Sequence, residues 1–516
     1  MKAISVEQMR ELDRRSIEDA KIPGFVLMER AGFGCGEKII EFIEDRINFN
    51  HVKRFVILAG KGNNGGDAYV VARYLYKNTD IDIIIYSICD IEKLGEDSKK
   101  HAGLIIEDVD YCIKKKITDK DLKKGDIIID GLLGTGVKGS LKKTYKEWIM
   151  AVNSSFLPVV SIDVPSGLNA DSGCFEDNDC IMADMTVTMG LPKIGLVNNK
   201  AVGCCGLLRC VDIGIPQKYI DETDSDFEIC FSSDVEKSLA RLPFKSYKNS
   251  VGSVLIIGGS KEYYGAPFLA ALTALRAGAG MVRVAVPESI ERIPNTALSI
   301  IVKRIKDNGK GYFGLESLKE LKALIDKSDV IVLGPGIGTE RDTFLFVREI
   351  LKTQKTLIID ADALNIIAES PEIYHRNDSN ILTPHPGEMK RLLEAFDLEH
   401  FNDKTREEKA EALAECLDAT IVFKGSRTVT ASPDGQITVN SSGCPALATA
   451  GSGDSLTGII AALNAKAHED YYKSTTAAVF IHGMTGEISP FGNRGFTADD
   501  IHELIPEAML RISAFA

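Results

Sequence analysis

Four stretches combine glycine with carboxylate or amide side chains directly after an apolar run: GKGNNGGD (60–67), DGLLGTGVKGS (130–140), IDVPSGLNA (162–170) and AGSGDSLTG (450–458). In the first, Gly60, Gly62 and Gly65 match the G-x-G-x-x-G spacing that follows a strand and opens a helix, and Asp90 lies near the end of the next apolar run, where a ribose-binding carboxylate would sit. That pattern admits a nicotinamide dehydrogenase. Asp67 argues against it, because a carboxylate in the first turn of the helix competes with a pyrophosphate for the positive helix end. Asn63 and Asn64 supply amide donors and carbonyl acceptors, a set better matched to a hydroxylated group, a ribose or a cation. A plainer role for Asp67, capping its own helix, remains open.

Asp130 and Asp163 each end a β-branched run, followed by the flexible loops Gly134, Gly136, Lys138, Gly139 and Pro165, Ser166, Gly167. Ligands of parallel sheets bind beyond the carboxyl ends of the strands, so these loops are expected to converge with the first. Two carboxylates in one crevice can take different pKa values and divide acid and base roles.

In the fourth stretch, Gly451 and Gly453 precede a helix whose backbone amides would face a transferring phosphoryl group, while Asp454 accepts a proton from a hydroxyl. FKGSRT places Lys424, Ser426 and Thr428 after a strand, where they can hold nucleotide phosphates. TPHPGE sets His385 between two prolines, and LGPGIG lets a ligand approach the backbone. Taken one at a time, a glycine turn is as readily a structural loop and a histidine a structural side chain.

The elements that must position these residues follow from the apolar pattern. Six runs in the first 215 residues (RFVILAG, DIDIIIYSI, GDIIID, PVVSID, MTVTM, LLRCVDIGI) alternate with helical stretches, which predicts a parallel sheet covered on both faces. An acidic segment near 217–240 breaks the rhythm and marks a domain boundary. A second series (SVLIIGG, MVRVAVP, DVIVLGPGIG, TLIIDADALN, NILTPHPGE, TIVFKGSRTVTAS, GQITVNSSG) predicts another α/β domain with a larger sheet. The expected domains are 1–220 and 235–516.

Composition narrows the classes. The 61 basic and 74 acidic residues leave a net charge of −13, with no basic run interleaved with aromatics, which disfavours nucleic acid as a partner. No apolar run is long enough for a membrane span, and the charged start MKAISVEQMRELDRR does not read as a signal peptide, so the cytoplasm is expected. Eleven scattered cysteines, without a C-x-x-C pair, suit reduced thiols.

GKGNNGGDAYVVAR, DGLLGTGVKGS and IDVPSGLNADSG together resemble the NAD(P)H-hydrate epimerase (YjeF N-terminal) family, whose Rossmann-like crevice binds hydrated nicotinamide and a potassium ion. The resemblance implies Asn63 or Asn64, Asp130 and Ser166 as cation ligands, and Asp163 near the reacting carbon as the group that moves the proton. It also implies substrate contacts from Gly62, Asn63, Asn64, Gly65, Gly66 and Asp67, and from Gly134, Thr135, Gly136, Val137, Lys138, Gly139 and Ser140. Ala68 stands where glycine is usual.

IIGGS, YGAPFLAALTALRAGAG, GPGIG, DADALN, TPHPGEM, KGSRT and AGSGDSLTGIIAAL, in that order, resemble the ADP/ATP-dependent NAD(P)H-hydrate dehydratases of the ribokinase-like superfamily. Here the resemblance implies Ala266, Gly336 and His385 on the hydrated cofactor, Lys424, Gly425, Ser426, Arg427, Thr428 and Gly453 on the nucleotide, and Asp454 as catalytic base. ADP or ATP with Mg²⁺ would donate the phosphoryl group, K⁺ would serve the first domain, and a homo-oligomer is expected. A ribokinase-like kinase for a vitamin precursor or sugar, and a non-catalytic nucleotide-binding module, are the alternatives.

Overall fold

The structure, a computed structural model, describes residues 1–513 apart from 119, 177–178, 237, 240–242, 249, 295–296 and 466–469. The chain divides into two compact units, Met1–Ile229 and Cys230–Ala516. The first holds seven strands, β1 (Arg54–Ala59), β2 (Asp82–Ser87), β3 (Asp110–Ile113), β4 (Asp126–Gly131), β5 (Val159–Ile162), β6 (Met185–Met189) and β7 (Leu207–Val211). Their order is β3-β2-β1-β4-β5-β6-β7 and their pairings are parallel. β4, β5 and β6 are buried along their whole length. That burial is why they read as continuous apolar runs.

The order reverses between β1 and β4, since β2 pairs on one side of β1 and β4 on the other. A crevice beyond the strand ends is expected at that switch point. β3 has no counterpart among the runs picked from the sequence, because it is a four-residue edge strand with both ends exposed and carries no apolar run.

The register of β1 on β4 is marked by an ion pair. Arg54 and Asp126 are Cα partners, and the guanidinium donates to both carboxylate oxygens at 3.1 and 2.6 Å. Asp126 is 2% exposed, and besides this fork it accepts from the Lys123 amide at 2.7 Å.

The second sheet has ten strands: β8 (Glu228–Cys230), which spans the boundary between the units, and β9 (Ser253–Ile257), β10 (Met281–Pro287), β11 (Ile301–Ile305), β12 (Val330–Leu333), β13 (Thr356–Ile359), β14 (Ile381–Leu382), β15 (Thr420–Phe423), β16 (Val429–Ala431) and β17 (Ile437–Asn440) of the second unit. The order is β11-β10-β9-β12-β13-β14-β15-β16-β17-β8, parallel from β11 to β15, with β16 antiparallel to both its neighbours β15 and β17. Two differences from the sequence reading follow. TIVFKGSRTVTAS is two strands turning at residues 424–428, and IVKRI forms β11, an edge strand whose exposed, charged residues hide it from a hydropathy pattern.

Beneath the sheet's carboxyl edge lies helix Ser452–Asn464, with ten of its thirteen residues buried. Its second half, residues 456–463, is almost wholly apolar because it has little solvent face. It packs so closely on helix Ala266–Arg276 that a Cβ on Gly458 would lie 2.1 Å from the carbonyl oxygen of Ala270. Glycine there is a packing requirement.

Removing one member of the β1–β4 ion pair leaves a buried charge without its partner. Arg54→Met, which strands the buried Asp126 carboxylate, is expected to cost the first unit about 3 to 5 kcal/mol in urea unfolding, while Arg54→Met/Asp126→Leu together cost far less.

Two candidate active sites at the strand ends

In the first unit the three expected loops do meet. The Asn64 amide donates to the Leu133 carbonyl at 3.0 Å, the Leu133 amide donates to Ser166 Oγ at 2.8 Å, and the Asn169 amide reaches the Val137 carbonyl at 3.5 Å. Asp130 is fully buried and accepts four hydrogen bonds: Ser166 Oγ (2.6 Å), Ser166 N (2.9 Å), Ser161 Oγ (2.8 Å) and Leu132 N (3.2 Å). Burial pushes its carboxyl above the usual range, and these donors oppose the shift. Asn64 Oδ1 is buried in this group of oxygens with no donor aimed at it. An orphaned acceptor beside a carbonyl, a hydroxyl and a carboxylate has the chemistry to take a hard monovalent cation. Asn63 is exposed, so of the two asparagines Asn64 has that environment.

Helix Asn63–Asn78 begins at Asn63 with Gly62 as its cap. Asp67 therefore lies in the second turn rather than the first, and it does not cap the helix. A Cβ on Gly60 would fall 1.9 Å from the Leu132 carbonyl and one on Gly65 2.0 Å from the Gly60 carbonyl, whereas Gly62 has nothing within 4 Å. Asp90 caps a short turn, accepting from the Glu92 amide at 3.1 Å, and is exposed.

Asp67 is buried and faces a second group of charges. At the end of β5 Asp163 adopts the left-handed conformation (φ 64°), and its carboxylate accepts from Lys193 Nζ at 2.6 Å and Thr188 Oγ1 at 3.2 Å. Lys193 is 1% exposed and also donates to the Met189 carbonyl at 2.9 Å. Burial, then the charges of Asp163 and Asp13, push the Asp67 carboxyl well above the usual range. Burial likewise raises Asp13 to about 6, with Lys193 opposing. The crevice thus sets the Asp163–Lys193 ion pair beside a buried carboxyl whose pKa is pushed up.

In the second unit, Gly451 (φ 86°) caps helix Ser452–Asn464 and Asp454 is the helix's third residue. Lys424, immediately after β15, donates from Nζ to Asp360 Oδ1 at 2.7 Å, and a Cβ on Gly453 would lie 3.3 Å from that Nζ. Cation and helix-end amides therefore face one space, an arrangement that stabilises a transferring phosphoryl group. Burial, then the negative charge of Asp360, lifts Asp454 to about 7, against the pull of Lys424. Burial also raises Glu388 to about 7. A carboxylate tuned to neutrality suits a general base.

The remaining expected residues fall around this space in different ways. His385 caps helix Pro386–Ala395: its Nδ1 accepts from the Gly387 amide at 2.9 Å, and its own amide donates to Glu388 at 2.8 Å. Accepting at Nδ1 leaves the proton on Nε2. Burial, then Lys424, lowers the ring's basicity. Gly336 is left-handed (φ 60°), and a Cβ there would lie 2.3 Å from the Tyr263 carbonyl. Ala266 is the first residue of helix Ala266–Arg276. In the turn between β15 and β16, Gly425 and Ser426 are exposed and Thr428 Oγ1 bonds the Gly425 carbonyl at 3.0 Å, but Arg427 is buried with its guanidinium on the Ser441 carbonyl.

Sequence reasoning passed over Lys193, Asp13, Asp360, Glu388, Thr457 and His482. Asp360 had the same signal as Asp130 and Asp163, a carboxylate closing the apolar run TLIID. Lys193 and Asp13 had none, because their neighbours come from distant segments.

Comparison with known proteins agrees with both halves. A family model described as YjeF-related protein N-terminus matches residues 24–195, and one described as NAD(P)H-hydrate dehydratase matches 254–507. The bifunctional NAD(P)H-hydrate repair enzyme Nnr of Moorella thermoacetica is 34% identical over 98% of this chain and 96% of its own, and that of Archaeoglobus fulgidus 35% over the whole of both. Among solved structures, the ADP/ATP-dependent NAD(P)H-hydrate dehydratase of Bacillus subtilis, co-crystallised with ATP/Mg²⁺, is 28% identical with a TM-score of 0.47, covering 56% of this chain and 99% of that one. Two family models in sequence, and relatives matched nearly end to end, mean that the chain belongs to the family of bifunctional NAD(P)H-hydrate repair enzymes.

Proposed function

We propose that residues 235–516 phosphorylate and dehydrate the S form of hydrated NADH or NADPH, and that residues 1–220 interconvert its R and S forms. The observation that carries this reading is the meeting of Lys424, the Gly453 end of the helix and Asp454 in one space. Hydration leaves a hydroxyl on C6 of the nicotinamide ring. Asp454 takes the hydroxyl proton as the oxygen attacks the terminal phosphorus of ADP or ATP, whose phosphoanhydride bond breaks. Mg²⁺ enters with the nucleotide. Lys424 and the amides at Gly453 offset charge on the phosphoryl oxygens, and Gly425, Ser426 and Thr428 line the nucleotide side. Phosphate then leaves from C6 with loss of the C5 proton, and the dihydronicotinamide is restored. Ala266, Gly336 and His385 contact the ring side of the substrate.

In the first unit Asp163, held by Lys193, moves the proton in the interconversion, with the buried Asp67 carboxyl, pushed up by burial, beside it. Asn64, Asp130 and Ser166 would hold K⁺, which supplies positive charge to a buried carboxylate. Residues 134–140 close over the substrate. No helix among the described residues is long and apolar enough to cross a membrane, and we place the enzyme in the cytoplasm with its substrate.

Recovery of absorbance at 340 nm from mixed R and S NADH hydrate tests the division of labour. Wild type with nucleotide, Mg²⁺ and K⁺ should recover the full signal. Asp454→Asn should lose recovery on the order of 100-fold or more, and Asp163→Asn should recover only the S fraction beyond the spontaneous rate. Unchanged R consumption in Asp163→Asn would sink the assignment of that residue.

The base must be ionised to act, so dehydration should rise with pH through about 7 and be roughly tenfold slower one unit below. Stability has the opposite sign. A carboxyl raised in the fold contributes stability below the ordinary carboxylate range near 4, and that contribution is lost as pH rises through about 7. Asp454→Asn should therefore raise the melting temperature more at pH 8 than at pH 5.

A further inference from the structure

Asp360 lies between the residues of the phosphoryl-transfer space and ties two of them together. It closes β13, is 1% exposed, and is followed by Ala361 in the left-handed region (φ 51°). Its two oxygens have separate partners. Oδ1 accepts from Lys424 Nζ and Oδ2 from Thr457 Oγ1, each at 2.7 Å. Thr457 lies one turn after Gly453 on the helix that carries Asp454, and its hydroxyl also reaches the Gly453 carbonyl at 3.0 Å. A lysine chain is long and has many rotamers, so its ammonium, 3.3 Å from where a Cβ on Gly453 would lie, needs a partner to fix it there.

We propose that Asp360 is the positioning residue of the phosphoryl-transfer step, holding Lys424 against Gly453 with one oxygen and the helix that bears Asp454 with the other. Cation and base are then aligned through a single carboxylate. The proposal rests on the reading of Asp454 as base.

A merely structural anchor would make the same hydrogen bonds, so the test needs a readout that anchoring does not move. The charged groups facing Asp454 are Asp360, Asp362 on helix Asp362–Glu369, Glu388 on helix Pro386–Ala395, and Lys424 after β15. His385 and Arg391 bear on the same group through Glu388 and Lys424. His482, on helix Tyr471–Glu487, meets Ser452 Oγ at 3.1 Å and is held neutral by burial, at about 4. Among the carboxylates, Asp360 contributes most to the upward shift of Asp454. Replacing it with a neutral isostere lowers the pH at which the base ionises.

The experiment compares full-length Asp360→Asn, Lys424→Met, their combination and Asp454→Asn, with S-NADH hydrate and MgATP or MgADP between pH 5.5 and 9. R-to-S conversion, followed chromatographically, reports that the chain is folded and should not change. In Asp360→Asn we expect kcat to fall on the order of 100-fold with KM for the hydrate within about threefold, and the acid limb of the pH profile to move to lower pH. In the Lys424→Met background the same substitution should cost only about tenfold, because the lysine arm is gone and the Thr457 arm alone remains to be lost. Equal losses in both backgrounds with the acid limb unmoved would overturn the proposal in favour of simple anchoring. If Asp360→Asn does not fold, Thr457→Val tests the helix arm: a drop in kcat of about tenfold supports the proposal, and full kcat overturns it. Wild-type turnover in Asp454→Asn would defeat the reading of the base itself, a result separable from the others.

Discussion

Negative charge buried at the carboxyl ends of parallel strands is the constraint around which both units are built. Asp130, Asp163 and Asp360 close β4, β5 and β13, where water is excluded and a lone carboxylate is costly. Each is compensated by different chemistry. Asp130 takes four hydroxyl and amide donors, Asp163 a lysine and a threonine, and Asp360 a lysine and a threonine from different elements. Ser161 and Thr188 come from neighbouring strands, but Ser166, Lys193 and Lys424 come from loops and Thr457 from a helix, so compensation of these charges also ties the crevice walls to the sheet.

The two units tune a carboxyl group in the same way. In the first, burial and then like charge from Asp163 and Asp13 push Asp67 up, while Lys193 holds Asp163 in an ion pair. In the second, the lysine is taken by Asp360, and burial with the charge of Asp360 lifts Asp454 to about 7. What differs is where the raised carboxyl lies: in the second turn of a helix in one unit, at a helix's first turn in the other. The same residue types, differently paired, thus fit a proton shuffle in one place and hydroxyl activation in the other.

Much of this was readable from residue order. β-branched runs announced the central strands because those strands are buried on both faces, and Asp130, Asp163 and Asp454 were marked by their place at strand or helix ends. Edge strands escaped: Asp110–Ile113 and Ile301–Ile305 carry exposed or charged residues and no apolar run. Partners brought in by the fold also escaped. Lys193 reaches Asp163 across 30 positions and Lys424 reaches Asp360 across 64, distances over which no local pattern operates. Asp67 stood out as a carboxylate in the first helical turn, competing with a phosphate, but the helix starts at Asn63 and puts it in the second turn, on the buried side.

The first glycine loop separates two kinds of freedom. Gly60 and Gly65 are closed against carbonyl oxygens, so neither can drift without moving the backbone on which the crevice is built. Gly62, with empty space where its Cβ would be and an extended backbone that any residue adopts, is under no such steric demand. A side chain added at Gly62 would meet no neighbour, so this one position of the three can take bulk or charge while the fold beneath stays as it is.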